Sequence, residues 1–337
     1  MSPPPPLTHI ERLSDGRGIF EHADGISPRV AGGYCLDDVA RALIVMCREP
    51  RAGNDAARLT AVYFEFLLDA QVHSGACRNR LDPDGRWLDE PDVGDWWGRA
   101  MWAFGTAMAR SPDSWIQATA ATRFDRGAAR RSPDLRASAF ACLGAAEMLA
   151  AKPDHPSARA ILIDFVDRFG RPTKDLTWPW PEARLAYANA AIPEALIAAG
   201  QHLGDAATLG YGLHLLNWLL DGETTDGHLS VTPVGGRGPG DSKPAFDQQP
   251  IEVAAIADAC ARAFQLTGDA RWADRLDLAV RWFLGLNDHG LPMWDESSGG
   301  GFDALTATGR NTNQGAESTL AMVATLQHAH RPQATRR

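Results

Sequence analysis

The chain has 337 residues, 45% hydrophobic and 22% charged, a mix that excludes collagen-like, disordered and disulfide-stapled mini-protein classes. Its 33 Lys and Arg stand against 42 Asp and Glu, and a net charge of −9 repels a phosphate backbone, so no nucleic-acid partner is expected. No run approaches the ~18–20 consecutive apolar residues of a membrane span, and the 5 cysteines are widely spaced without a C-x-x-C pair, so we expect no membrane contact, no disulfide framework, no metal and no cofactor.

The first residues, Met1-Ser-Pro-Pro-Pro-Pro, lack the basic-then-apolar pattern of a secretory signal, which makes a cytoplasmic protein the expectation. In chain order, the predicted helices are of two kinds. A short segment at 7–13 is followed by nearly all-apolar helices at 34–47, 95–109, 137–151, 185–199, 250–264 and 314–327. Between them lie amphipathic helices at 57–72, 114–130, 157–169, 206–220 and 271–286, each with a charged face. A helix apolar on every side must be surrounded by protein, whereas an amphipathic one keeps one face wet. Six inner helices ringed by outer ones predict an all-α, closed (α/α)6 toroid, in which either 7–13 is a short sixth outer member or the outer ring is incomplete. Strand alternation is almost absent, and the best short strand candidate is His228-Leu-Ser-Val-Thr, inside a long loop. No linker divides the chain, which reads as one domain over 1–337 with a Pro-rich tail at 1–6 and a polar tail at 329–337.

Polar, aromatic segments precede the inner helices: Gly33-Tyr-Cys-Leu-Asp37-Asp38, Gly94-Asp95-Trp96-Trp97-Gly-Arg99, Trp178-Pro-Trp180-Pro-Glu182, Asp247-Gln248-Gln249-Pro-Ile-Glu252 and Asn313-Gln314-Gly-Ala-Glu317. In an α/α ring the inner helices run the same way, so these segments meet at one end and line one cavity. Asp95, Asp247 or Asn313 could serve simply as caps. An acid in the first turn of a buried helix, as at Asp37, Asp38 and Glu317, needs an Arg partner or a function, and Arg99, Arg136 and Arg184 are candidate partners. Indole faces beside carboxylates and amides suit a pyranose, whose C–H face stacks while its hydroxyls seek polar groups.

Five segments, Gly33-Tyr-Cys-Leu-Asp-Asp-Val-Ala-Arg-Ala-Leu, Asp95-Trp-Trp-Gly-Arg, Trp178-Pro-Trp-Pro-Glu, Phe246-Asp-Gln-Gln-Pro-Ile-Glu and Asn313-Gln-Gly-Ala-Glu-Ser-Thr, together resemble a bacterial family of six-hairpin glycosidase-like proteins. The resemblance runs from about residue 9 to 327 and implies an (α/α)6 barrel, carbohydrate chemistry and a functional association with a glycosyltransferase. Val39 departs from it, standing where Asn is expected and where a sugar contact would change.

The expected activity is glycoside hydrolysis of an oligosaccharide or polysaccharide by an inverting pair of carboxyl groups. Glu182, in the apolar Trp178-Pro-Trp180-Pro setting that raises a carboxyl pKa, is the expected acid. Asp247, flanked by amides that keep it ionised, is the expected base, with Asp95 second. Asp37, Asp38, Trp96, Trp97, Arg99, Trp178, Trp180, Tyr187, Gln248, Gln249, Glu252, Asn313, Gln314 and Glu317 are the expected substrate contacts. Three alternatives stand beside this: a phosphorylase using Arg99, Arg136, Arg184 and Arg310; an epimerase using His22 with His228 or His289; and a non-catalytic sugar-binding barrel partnering a glycosyltransferase. The glycine-rich connections 233–244 and 288–301 are expected to be mobile lids.

Overall fold

The computed structural model describes residues 5–49, 53–172, 175 and 177–330. Among these, twelve helices follow in chain order: α1 (Thr8–Leu13), α2 (Leu36–Arg48), α3 (Asn54–Ala70), α4 (Asp95–Arg110), α5 (Ser114–Ala128), α6 (Leu135–Ala151), α7 (Pro156–Phe169), α8 (Ala191–Leu203), α9 (Ala206–Glu223), α10 (Pro250–Thr267), α11 (Ala270–Phe283) and α12 (Ala316–His330). The even-numbered helices each pack on the next, and α12 packs back on α2, which closes an inner ring. Helices α3, α5, α7, α9 and α11 each pack outside the inner helix that precedes them, and α1 covers α12.

The burial pattern explains this order. Every residue of α6 from Arg136 to Leu149 is buried, as a helix surrounded by protein must be. On α5 the buried residues Ile116, Ala120, Phe124 and Gly127 recur at helical spacing, which leaves one wet face. Asp113, Asp205 and Asp269 cap the outer helices α5, α9 and α11 with their side chains. Inner helices α4 and α6 touch backbone to backbone. A Cβ at Gly144 would stand 2.3 Å from the Met101 carbonyl oxygen, and one at Gly105 would stand 2.1 Å from the carbonyl of Gly144.

The expected starts of three inner helices shift inward. Tyr34–Cys35 is extended and pairs with Arg80–Leu81, so α2 begins at Leu36. Helix α12 begins at Ala316, because the Gln314 N–H is already bonded to the Gly25 carbonyl at 3.0 Å. Residues 185–190, expected in α8, form a loop whose Leu185 backbone pairs with Arg237 and whose Ala188 has φ of 44°. His228–Leu229 is indeed extended and pairs with Thr224–Thr225. Of the expected tails, residues 329 and 330 belong to α12; residues 1–4 and 331–337 lie outside the described part. No described helix is long and apolar enough to cross a membrane.

Candidate active site

A cavity of about 450 Å³ opens at the N-terminal ends of α2, α10 and α12. Asp37, Asp38 and Arg41 of α2, Asp247 and Gln249 ahead of α10, and Glu317 and Ser318 of α12 line it, together with Glu21, His22, Arg80 and Asp303 from the loops. Its charges are largely paired. The Arg41 guanidinium donates to Asp38 at 2.5 Å and reaches Glu317 at 2.8 Å, while Arg99 stands 3.2 Å from Asp37. Arg80 pairs with Glu21. The expected need of the buried acids for arginine partners is thus met by Arg99 and by Arg41, the latter one helical turn from Asp38.

Burial dominates the ionisation of two of these acids. Asp38 is lifted to about 7 by burial, against the opposing pull of Arg41. Burial also raises Asp37, against Arg41 and Arg99. Asp247 is exposed in the cavity wall and has no ion-pair partner among the described residues. Asp303 accepts from the Gly315 N–H at 2.8 Å and the Ser318 hydroxyl at 2.7 Å, which ties the 303 loop to the start of α12. None of Asp95, Asp247 and Asn313 caps an inner helix with its side chain: the residues at the cap positions of α4 and α10 are Gly94 and Gln249, and Asn313 instead accepts from the Gly25 N–H at 3.0 Å.

A second cluster stands outside the cavity lining. Arg136 donates to Glu182 at 2.7 Å, to the Tyr187 carbonyl at 2.5 Å and to Asn189 at 3.1 Å. Asn189 in turn donates to Glu252 at 2.9 Å, and Glu252 also accepts from the backbone N–H groups of Ala188 and Asn189. Burial lifts Glu252 to about 7. The Tyr187 hydroxyl donates to Asp95. The surroundings of Glu182 therefore differ from the apolar setting expected: Trp180 and Trp178 do donate to its carboxyl and its carbonyl, but its carboxylate is ion-paired to Arg136. Glu252 likewise holds the 187–189 turn rather than lining the cavity.

Several expected contacts are committed elsewhere. Trp97 and Trp180 are 1% and 2% exposed, packed in the core, and so offer no face for stacking; Trp180 stacks on Trp218. Trp96 is half-buried and donates to the Cys77 carbonyl at 2.7 Å, and Trp178 meets Trp218 edge-on. Gln248 is buried and donates to Asp288 at 2.6 Å, so it does not flank the Asp247 carboxylate. Gln314 is buried between the Ser298 hydroxyl and Asp295. Val39 is wholly buried in the core and does not line the cavity. Backbone alternation accounts for Gln248: paired with Leu305, it faces inward, while its neighbours 247 and 249 face the cavity.

The alternative groups are also engaged. Arg184 pairs with Asp241, Arg136 with Glu182, and Arg310 donates to the Pro292 carbonyl, so no cluster of free guanidiniums forms. His22 lines the cavity, but His228 donates to Asp288 at 2.9 Å and His289 stacks on Phe246. Glu21, Cys35 and Asp38 bring three possible metal-ligand atoms within 4.8 Å of one another, yet Arg80 and Arg41 already contact the two carboxyls. In the 233–244 connection, expected to be a mobile lid, Arg237 forms a buried pair with Glu223, and Lys243 donates to the Gly222 carbonyl at 2.6 Å. In the 288–301 connection, Asp288 and Asp295 are bonded to Gln248 and Gln314.

The sequence reading missed Glu21, Arg80 and Asp303. Glu21 and Asp303 sit in loops and Arg80 in a two-residue strand, with no helical spacing to mark them, and only the closed ring brings them to Asp38 and Glu317. No protein-family model and no curated protein sequence matches the chain. Solved structures do match over nearly its whole length. A sugar epimerase from a ruminal bacterium superposes with a TM-score of 0.72 at 13% identity, covering 97% of this chain and 96% of that one. A D-mannose isomerase gives 0.69 at 13% identity, over 96% and 94%. A cellulase of C. cellulolyticum in complex with cellobiose gives 0.61 at 9% identity, over 93% and 87%. The fold is the (α/α)6 barrel. At these identities the likeness establishes the architecture of the barrel and leaves its chemistry to the cavity.

Proposed function

We propose that the chain is a carbohydrate-active enzyme, a glycoside hydrolase working with two carboxyl groups of the cavity at the N-terminal ends of α2, α10 and α12. The observation that carries this reading is the pairing, in one cavity, of a buried carboxyl lifted to about 7, Asp38, with an exposed, unpaired carboxylate, Asp247. A general acid must still hold its proton at working pH, and burial supplies that at Asp38. Asp38 then protonates the leaving glycosidic oxygen as the C–O bond breaks. Asp247 takes a proton from the water whose oxygen bonds to the anomeric carbon. The two carboxyls come from segments separated in the ring by α12, which suits a water placed between acid and base. Glu317 and Arg41 hold the floor and meet hydroxyls. Glu182 and Asp95, in the Arg136–Tyr187 cluster, orient the rim.

Sugar epimerisation is the second reading, favoured by the epimerase and isomerase names among the structural neighbours and by His22 in the cavity wall. It needs a second base, and because His228 is held by Asp288 that base would be a carboxylate such as Asp247. Asp38→Asn and Asp247→Asn, assayed on a panel of disaccharides and oligosaccharides, should each lose about 10²–10⁴-fold in turnover. Glu182→Gln should lose far less. Retention of near wild-type turnover by both aspartate variants would overturn the assignment.

A further inference from the structure

Beneath the cavity, along the barrel axis, runs a narrow shaft of about 60 Å³. Arg41 and Glu317 line both spaces, so their ion pair is the floor of one and the ceiling of the other. The shaft walls are mostly apolar, including Trp102, Phe140 and Ile251, and its far end carries Arg48, Glu194 and Asp258. Two buried polar atoms there have no hydrogen-bond partner among the described residues. Oε2 of Glu194 is unpaired while Oε1 accepts from Arg262 at 2.9 Å, and Nε of Arg48 is unpaired while Nη1 donates to Asp258 at 2.8 Å. Nε of Arg41, at the ceiling, is unpaired as well. Glu194 is 2% exposed, and an unsatisfied carboxylate oxygen at that depth costs several kcal/mol, roughly, unless something fills the space beside it.

We propose that the shaft holds a file of hydrogen-bonded water molecules joining the Glu194 carboxyl to the floor of the cavity above. The orphan atoms include both donors and an acceptor, which water satisfies and an ion of either sign does not. The ion pairs agree: the guanidiniums of Arg41, Arg48, Arg99, Arg110 and Arg262 each already contact carboxyls, namely Asp38 and Glu317, Asp258, Asp37, Glu147, and Glu194, respectively. The volume accommodates roughly four to six water-sized spheres. The groups facing Glu194 are Arg262, Asp258 and Cys260 from α10, Arg48 from α2, and Cys142 from α6, with His328 of α12 bonded to Asp258 and Glu147 of α6 reached through Arg262. The buried face of α7 is apolar, and the ionisable Tyr211 and Glu223 of α9 are bonded to the Pro179 carbonyl and to Arg237. Burial raises Glu194 to about 7, against the pull of Arg262, so near neutral pH a fraction of it carries a proton that the file can exchange with solvent.

The test is infrared spectroscopy of the full chain on transfer to D₂O, with Glu194→Gln used to assign the band of the protonated carboxyl. The expected result is a Glu194-dependent band near neutral pH that shifts within the mixing time. Ala255→Leu and Ala324→Leu, which place bulk in the shaft from two different helices, should slow that shift at least tenfold. Absence of the band, exchange as slow as that of core amides, or plugs without effect would each overturn the proposal. Diffraction under xenon gives an independent reading: ordered water beside Glu194 and Arg48 supports the file, whereas xenon density marks a dry shaft and refutes it.

Discussion

Replacing Arg237 by Met tests how the wall of the cavity is held. Arg237 and Glu223 form an ion pair buried on both sides, and Glu223 also accepts from the Thr232 N–H and hydroxyl, both at 2.6 Å. The Leu185 and Arg237 backbones pair at 2.8 and 3.0 Å, so the same residue ties the 185–190 loop to the 230–238 loop. Methionine keeps most of the volume but strands a buried carboxylate whose ionisation burial already opposes. The expected cost is about 3–5 kcal/mol, which at about 2.1 cal/mol/K per residue corresponds to a fall in Tm of about 4–7 °C for a chain of 337 residues. Lowering the pH should recover part of the loss, because Glu223 then binds a proton. The double variant Glu223→Gln, Arg237→Met should recover most of it at neutral pH, since the stranded charge is gone. Reversible urea unfolding followed by circular dichroism measures the cost, and limited proteolysis near Lys243 reports the loop. A single variant within about 1 kcal/mol of wild type, with unchanged cleavage of residues 233–244, would refute the claim that this pair holds the wall.

Gly144→Ala should destabilise by about 1–3 kcal/mol or more, because its new methyl meets a backbone oxygen of α4 that cannot move aside; thermal unfolding checks it. Asp38 and Glu252, lifted by burial to about 7, bind more protons folded than unfolded, so their contribution to stability is full below the ordinary carboxyl pKa and falls as pH rises towards about 7. Urea midpoints should decline over that window and level off above it, and Asp38→Asn should flatten part of the decline. Trp180→Phe should cost stability through lost packing on Trp218 while leaving ligand affinity within about twofold, a contrast that fluorescence titration against thermal melting reads directly.

The two kinds of helix were legible because all-round apolar and one-sided patterns differ in sequence, and all six outer helices begin within three residues of expectation. The start of α8 was not, since Leu185 through Ala190 have helix-forming composition but are drawn into a loop by Arg136, Glu252 and the backbone of Arg237. The first-turn acids Asp37, Asp38 and Glu317 were legible as carboxyls in need of arginine partners, because the start of an inner helix offers them little solvent, and Arg41 and Arg99 supply those partners. The tryptophans were not: composition cannot tell an indole aimed at a ligand from one aimed at the core, and Trp97 and Trp180 are of the second kind. Nor does spacing show that Gln248, between two cavity-facing neighbours, is turned inward by its pairing with Leu305.

Proton NMR of the reaction in D₂O tests the central claim most directly. Hydrolysis by Asp38 and Asp247 predicts that a cleaved disaccharide first yields the anomer inverted at the broken bond, with no deuterium on ring carbons, and that Asp247→Asn abolishes the signal. Deuterium appearing at C2 of an uncleaved sugar would contradict hydrolysis and establish epimerisation in the same cavity.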